Sequence, residues 1–170
     1  SEAWAEVVEL AEKRSVPVAT SLNGKGTIPA GHPLSVGVCG SYSRSSANRI
    51  VGAADLVVFV GSHTGGQVTN GWTVPRAGTP VIQIDVETQE LGRNYHNVVG
   101  LLGDARVTLR RRIEAVELGS PGEPWLEEVR LAVDEWQASV SEMRGSDAVP
   151  IRPERVCREL EAVMPEDALL

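Results

Sequence analysis

The stretch DLVVFVG at residues 55–61 leaves little freedom of fold, because its central residues are all apolar and mostly β-branched with no polar alternation. A strand of this kind has both faces covered, the situation found in parallel sheets with helices above and below. TPVIQID (79–85) has the same character, VVGLLGD (98–104) is a shorter case, and VPVAT (16–20) is another brief apolar run. Between these runs the spacing becomes helical. Trp4, Val7, Val8 and Ala11 predict a helix over 2–14, ended by Pro17. Ala47, Ile50, Val51 and Ala54 predict a second, with Ser43 as its cap, and Ala105, Leu109, Ile113 and Val116 a third. Short apolar strands alternating with helices predict an α/β fold, a doubly wound parallel sheet. The first strand of such a sheet is normally central. This sequence instead opens on a helix, so a first strand is expected to be missing.

Past the third helix the pattern changes. GSPGEP (119–124) reads as a linker. Trp125, Val129, Ala132, Val133, Trp136, Val140 and Met143 then form an apolar stripe on a long helix, docked on its own domain or on a partner. GSDAVP (145–150) is a second break. In IRPERVCRELEAVMPEDALL (151–170), Pro153 suits a first helical turn, with Val156, Leu160 and Val163 as the buried face. The expected organisation is therefore a domain over 1–118, a linker with an amphipathic helix over 119–150, and the beginning of a further domain over 151–170.

Several function classes are excluded by composition. With 170 residues, 42% hydrophobic and 23% charged, the chain can bury a core. Its net charge of -7 opposes a sequence-independent grip on nucleic acid. The densest basic run, Arg110–Arg112, reads as a solvated helix face. No stretch approaches the ~18 apolar residues of a membrane span, and the start has neither a basic nor an apolar leader region. Cys39 and Cys157 stand far apart, which opposes a disulfide framework or a zinc site and makes a cytoplasmic location the expectation. The absence of an initiating Met points to a piece of a longer protein.

The chemistry is sparser. SLNGKGTIPAGHP (21–33) lacks the spacing of a Walker loop, and Pro29 stands where a dinucleotide fingerprint would begin its helix. Lys25 is thus a turn residue first. Strand ends say more, since ligands on open α/β sheets bind beyond the carboxyl ends of the strands. Three such ends carry suitable groups: Gly61, Ser62, His63, Gly65 and Gly66 in GSHTGG, Asp85 after VIQI, and Asp104 in GD. Each carboxylate could accept ribose hydroxyls or cap a turn or helix. His63 has no Ser, Cys or Asp at triad spacing and reads as a loop residue; His32 and His96 read as surface residues. Spacing alone gives a nucleotide-binding α/β domain without a catalytic centre.

Taken in order, GKGTIPAGHPL, DLVVFVG, VIQID and LLGD resemble the central domain of thiamine diphosphate-dependent enzymes of the acetolactate synthase and pyruvate oxidase group, over about residues 1–118. IRPERVCRELEAVMPEDALL resembles the opening of the same family's C-terminal domain. The resemblance implies a Rossmann-like six-stranded sheet in a parent enzyme that decarboxylates a 2-keto acid and adds the product to a second carbonyl compound. Thiamine diphosphate and Mg²⁺ would be held by other parts of that parent and not by this chain. FAD or ADP is the ligand implied for the central domain. Asp85 would then lie at the adenosine ribose, Asp104 near the adenine, Gly61–Gly66 along the pyrophosphate or ribityl portion, and Gly40 and Ser41 nearby. GSHTGGQVT departs from the charged pattern commoner in acetolactate synthases, so FAD, ADP and an empty site all stay open.

The partners implied are the rest of the parent chain and further copies in a homo-oligomer. A free-standing adenine-nucleotide-binding or interaction module without catalysis is the alternative. A sheet lacking its central strand exposes its edges, which predicts dimerisation or strand exchange, with EDALL as a candidate strand.

Overall fold

The first helix, α1 (Trp4–Arg14), stops before proline forces it to. Ser15 takes a left-handed conformation (φ 51°) and donates its N–H to the Ala11 and Glu12 carbonyls, closing the last turn. In the computed structural model, which describes residues 2–117, 119, 122–165 and 168, the chain continues through β1 (Val18–Thr20), β2 (Ser35–Val38), α2 (Ser45–Ala53), β3 (Val57–Val60), β4 (Val81–Asp85) and β5 (Asn97–Leu102). Three helices follow: α3 (Ala105–Ala115), α4 (Glu123–Gly145) and α5 (Pro153–Val163).

Every strand pairing is parallel, as the wholly apolar runs require. The strands group into two sheets, β1–β2 and β3–β4–β5, rather than one. No strand among the described residues joins β1 to β3, so each keeps one unpaired edge. β4 has a neighbour on both sides and is the most buried strand, with Val81, Gln83, Ile84 and Asp85 all inside. β2 has no counterpart among the expected strands, because Ser35 and Gly37 interrupt its apolar character; its pairing with β1 makes it a strand.

The core over the three-stranded sheet joins Ala3, Ile84, Ala105 and Leu109, with Val7, Leu10, Val60 and Leu101 packed around them. Burying a leucine such as Leu109 contributes about 1.5–3 kcal/mol. α1 and α3 lie side by side and run the same way. Glu6, buried on α1, accepts from Arg106 at 3.2 Å and Arg110 at 2.8 Å. One to two turns further on, Lys13 donates to the Ile113 carbonyl and Arg14 to that of Glu117. Arg110, expected on a merely solvated face, is therefore exposed yet bonded to a buried carboxylate. α2 packs on β2 with Ala47 and Ile50 buried. Its N-cap is Arg44 rather than Ser43, whose hydroxyl instead accepts from Asn48 Nδ2 at 2.8 Å.

The chain divides into two compact units, residues 1–132 and 133–170. Within the first, Val129 and Ala132 of α4 are buried and Glu128 lies 3.7 Å from Arg49 of α2. In the second, α5 has Pro153 in its first turn as expected. Its apolar face corrects the expectation of burial: Val156, Leu160 and Val163 are all exposed. A unit of this size, built from half of α4 and one further helix, cannot enclose a core. EDALL falls largely outside the described residues.

Candidate functional site

The carboxyl ends of β3, β4 and β5 are joined by backbone hydrogen bonds that extend each ladder one step into its loop. Gly61 N–H donates to the Ile84 carbonyl at 2.8 Å, and Gly103 N–H donates to the Asp85 carbonyl at 2.8 Å. This brings Gly61, Asp85 and the Gly103–Asp104 pair to one edge. Asp85 is 5% exposed. Its Oδ1 accepts the Glu87 N–H at 3.0 Å, the turn-capping role, while its Oδ2 is buried without a donor. Asp104 caps α3, accepting the Val107 N–H at 3.0 Å.

The loop after β3 is held by polar contacts that the sequence did not flag. Gln83 lies inside β4 and is 1% exposed. Its Nε2 donates to the Ser62 carbonyl at 3.3 Å, and its Oε1 accepts from Gly92 N–H and Asn97 Nδ2, both at 3.0 Å. Asn94 Nδ2 donates to the His63 carbonyl and to Thr64 Oγ1, each at 3.1 Å. Tyr95 donates to the Val74 carbonyl at 3.2 Å and its ring meets Phe59 at 5.6 Å; burial raises its pKa. Thr69, fully buried, donates to the Gly65 carbonyl and accepts the Trp72 N–H. Gly61, Thr64, Asn70, Gly71 and Trp72 all have positive φ, so the backbone doubles back repeatedly here.

Gly40 and Ser41 reach this loop from the other sheet. Ser41 N–H donates to the Gln67 carbonyl at 2.8 Å. Gly40 has φ 102°, and a Cβ there would fall 1.9 Å from Gln67 O; no other residue fits. Asn48 fastens the turn, accepting the Gly40 N–H at 2.8 Å and donating back to its carbonyl at 3.0 Å.

Other candidates stay apart from this arrangement. His63 contributes only its carbonyl, its side chain being exposed, and His96 is exposed. His32 is half-buried rather than at the surface, because Glu12 accepts from its ring at 3.2 Å. Lys25 is exposed in a run of turns in which Gly24 N–H donates to Ser21 and Thr27 Oγ1 donates to Gly24. A cleft of about 670 Å³ opens between α1 and the 26–32 segment, walled by Trp4, Val8, Pro29 and His32, and shares no residue with the strand-end group. Burial raises the Cys39 thiol pKa. Among the described residues no three His, Cys, Asp or Glu side chains gather closely enough to hold a metal ion. None of the described helices is long and apolar enough to cross a membrane.

The glycines at the strand ends, the buried strand-end carboxylate and the parallel sheet have close parallels. Residues 1–111 match the family of the thiamine pyrophosphate enzyme central domain. A probable acetolactate synthase large subunit of Methanocaldococcus jannaschii is 31% identical over 95% of this chain, which covers 27% of that protein. The corresponding protein of Methanococcus aeolicus is 27% identical over 94% of the chain and is covered to 28%. The putative thiamine pyrophosphate-containing protein YdaP of Bacillus subtilis is 24% identical over 97% of the chain, again covered to 28%. The chain thus spans little more than a quarter of the length of these relatives. A match over residues 1–111, together with parallel strands in the order such a domain requires, makes this chain a member of the thiamine pyrophosphate enzyme central-domain family.

Proposed function

We propose that this chain is the central domain of a thiamine diphosphate-dependent enzyme of the acetolactate synthase type, and that its strand-end crevice holds an adenine nucleotide, ADP or FAD. The parent reaction is decarboxylation of a 2-keto acid followed by transfer of the remaining fragment to a second carbonyl compound. The names of the relatives support this reading of the whole protein. The described residues offer no ligand cluster for Mg²⁺, so the metal and thiamine diphosphate do not fit here, and no step of the reaction runs through this chain. Its part is to position the rest of the parent chain, in a cytoplasmic homo-oligomer.

An adenine nucleotide does fit. The observation that carries this is Asp85 Oδ2, a buried carboxylate oxygen with no donor at the edge of β4. Leaving such an acceptor unsatisfied is costly, and a ribose hydroxyl supplies the missing donor. Gly61 and Gly65 have nothing within 4 Å of the position a Cβ would take, so a pyrophosphate can approach the backbone closely. Asp104 lies one strand further along for the base, and Gly40 and Ser41 border the same loop.

Calorimetric titration of the chain with ADP and FAD tests this. Saturable binding that weakens by about tenfold or more in Asp85→Asn is expected, since the amide replaces the free acceptor with a donor. No binding of either nucleotide at millimolar concentration overturns the nucleotide reading. For the parent, the full-length protein supplied with thiamine diphosphate and Mg²⁺ should consume pyruvate or another 2-keto acid. Nucleotide binding without any such turnover would favour a free-standing binding module.

A further inference from the structure

Trp72 is the least expected residue of the β3–β4 loop. It is 57% exposed and has φ 61°, a conformation rare for a bulky side chain. The rest of the loop enforces this placement. Thr69, fully buried, accepts the Trp72 N–H at 3.1 Å through its hydroxyl, and Gly71 N–H donates to the Gly66 carbonyl at 2.7 Å. The outer edge of the indole then lies over Gly66, where a Cβ would meet it at 3.2 Å. Gly66 has an ordinary backbone conformation, so it is the indole and not the chain turn that requires a glycine there. Gly65, its neighbour, needs glycine for neither reason: its φ is ordinary and its Cβ position is open. A glycine backbone free of cover thus sits beside a large, rigid, half-exposed aromatic ring.

Strand order gives this patch a place relative to the carboxylates. Asp104 follows β5, Asp85 ends β4, and Trp72 belongs to the loop leaving β3, and the three strands are neighbours in that order. Adjacent strands lie about 4.8 Å apart, so a ligand laid along the edge with its adenosine at β5 and β4 runs out toward the β3 loop. Beyond the pyrophosphate, the next group it meets is the open backbone of Gly65 and the indole.

Building on the nucleotide reading above, we infer that Trp72 and Gly65 form a stacking platform for the second flat ring of an adenine dinucleotide, which lets the crevice distinguish a dinucleotide from ADP. Stacking on an indole is tolerant of ring type. An isoalloxazine and a nicotinamide both suit it, and FAD and NAD⁺ are the probes that separate them.

The experiment is titration of the chain with ADP, FAD and NAD⁺, read by calorimetry and by the Trp72 emission obtained as the difference between the unmodified chain and Trp72→Phe. Expected are quenching of that emission by a dinucleotide, binding of the same dinucleotide about tenfold weaker in Trp72→Leu, unchanged ADP binding, and near-full affinity in Trp72→Phe. Gly66→Ala, which displaces the indole without removing it, should reproduce the selective loss, and far-UV circular dichroism of each variant checks its fold. Dinucleotide affinity indifferent to Trp72→Leu overturns the platform and leaves the nucleotide reading intact. An equal loss for ADP also overturns it, since the ring at Trp72 would then be the adenine. Failure of all three probes to bind removes the nucleotide reading and the platform together.

Discussion

The loops at the carboxyl ends of β3 and β4 and the helical unit over 133–170 are both rich in polar contacts, but of opposite kinds. At the strand ends the partners are buried: Gln83 is 1% exposed and ties Ser62, Gly92 and Asn97 together. In the helical unit the contacts are ion pairs in water. Arg155 meets Asp147 and Glu159, Arg158 meets Glu159, and Arg144 meets Glu161, every carboxylate being more than half exposed. A buried hydrogen bond costs much to break because its partner is left unsolvated, whereas an exposed pair exchanges its partner for water. One region is held in a single geometry, and the other is decorated.

The sharpest way to break that contrast is Gly40→Ala. Its Cβ would collide with Gln67 O, and φ 102° disfavours any side chain. A loss of roughly 3–4 kcal/mol in denaturant unfolding is expected. Gln83→Leu follows at roughly 2–3 kcal/mol, because the Gly92 N–H, Asn97 amide and Ser62 carbonyl lose their partner while staying half-buried or buried; nucleotide affinity should fall with it.

Glu6→Gln probes a case between the two extremes, a buried carboxylate facing exposed arginines. The Arg110 hydrogen bond above all, helped by Arg106 and opposed by burial, holds its pKa below the ordinary 4.5. The stabilisation it confers is therefore complete above about pH 4.5 and is lost as pH falls through the lowered folded value. Melting curves of Glu6→Gln should lie below those of the unmodified chain at neutral pH and converge with them in acid. Arg155→Ala should leave the unfolding midpoint unchanged within error, and a drop comparable to that of Gln83→Leu would erase the contrast.

What could be read in advance follows the same division. β3 and β4 were legible because a strand covered on both faces must be apolar throughout, and Asp85 and Asp104 because a carboxylate just past such a run stands at a sheet edge. β2 was hidden by Ser35 and Gly37, whose strand character comes only from the backbone of β1. Gln83 read as an interruption of VIQID; its value depends on which two loops meet over β4, and local periodicity carries no record of that. Asn48, Asn94 and Thr69 were invisible for the same reason, each acting on a segment distant in sequence or folded back by positive φ. The apolar face of α5 was read correctly as a pattern and wrongly as buried, since periodicity reports a face and not the presence of its cover.

The parallel run of α1 and α3 has an electrostatic consequence. Each helix carries a partial negative charge at its carboxyl end, and neighbours pointing the same way place those ends together, so their dipoles add where an antiparallel pair would cancel. Lys13 and Arg14 close α1 and also reach the last carbonyls of α3, so two cations at one junction neutralise both ends. Acylation of Lys13 would expose the summed field at a stroke, whereas the same modification of Lys25, alone on its turn, would pass unnoticed by the fold.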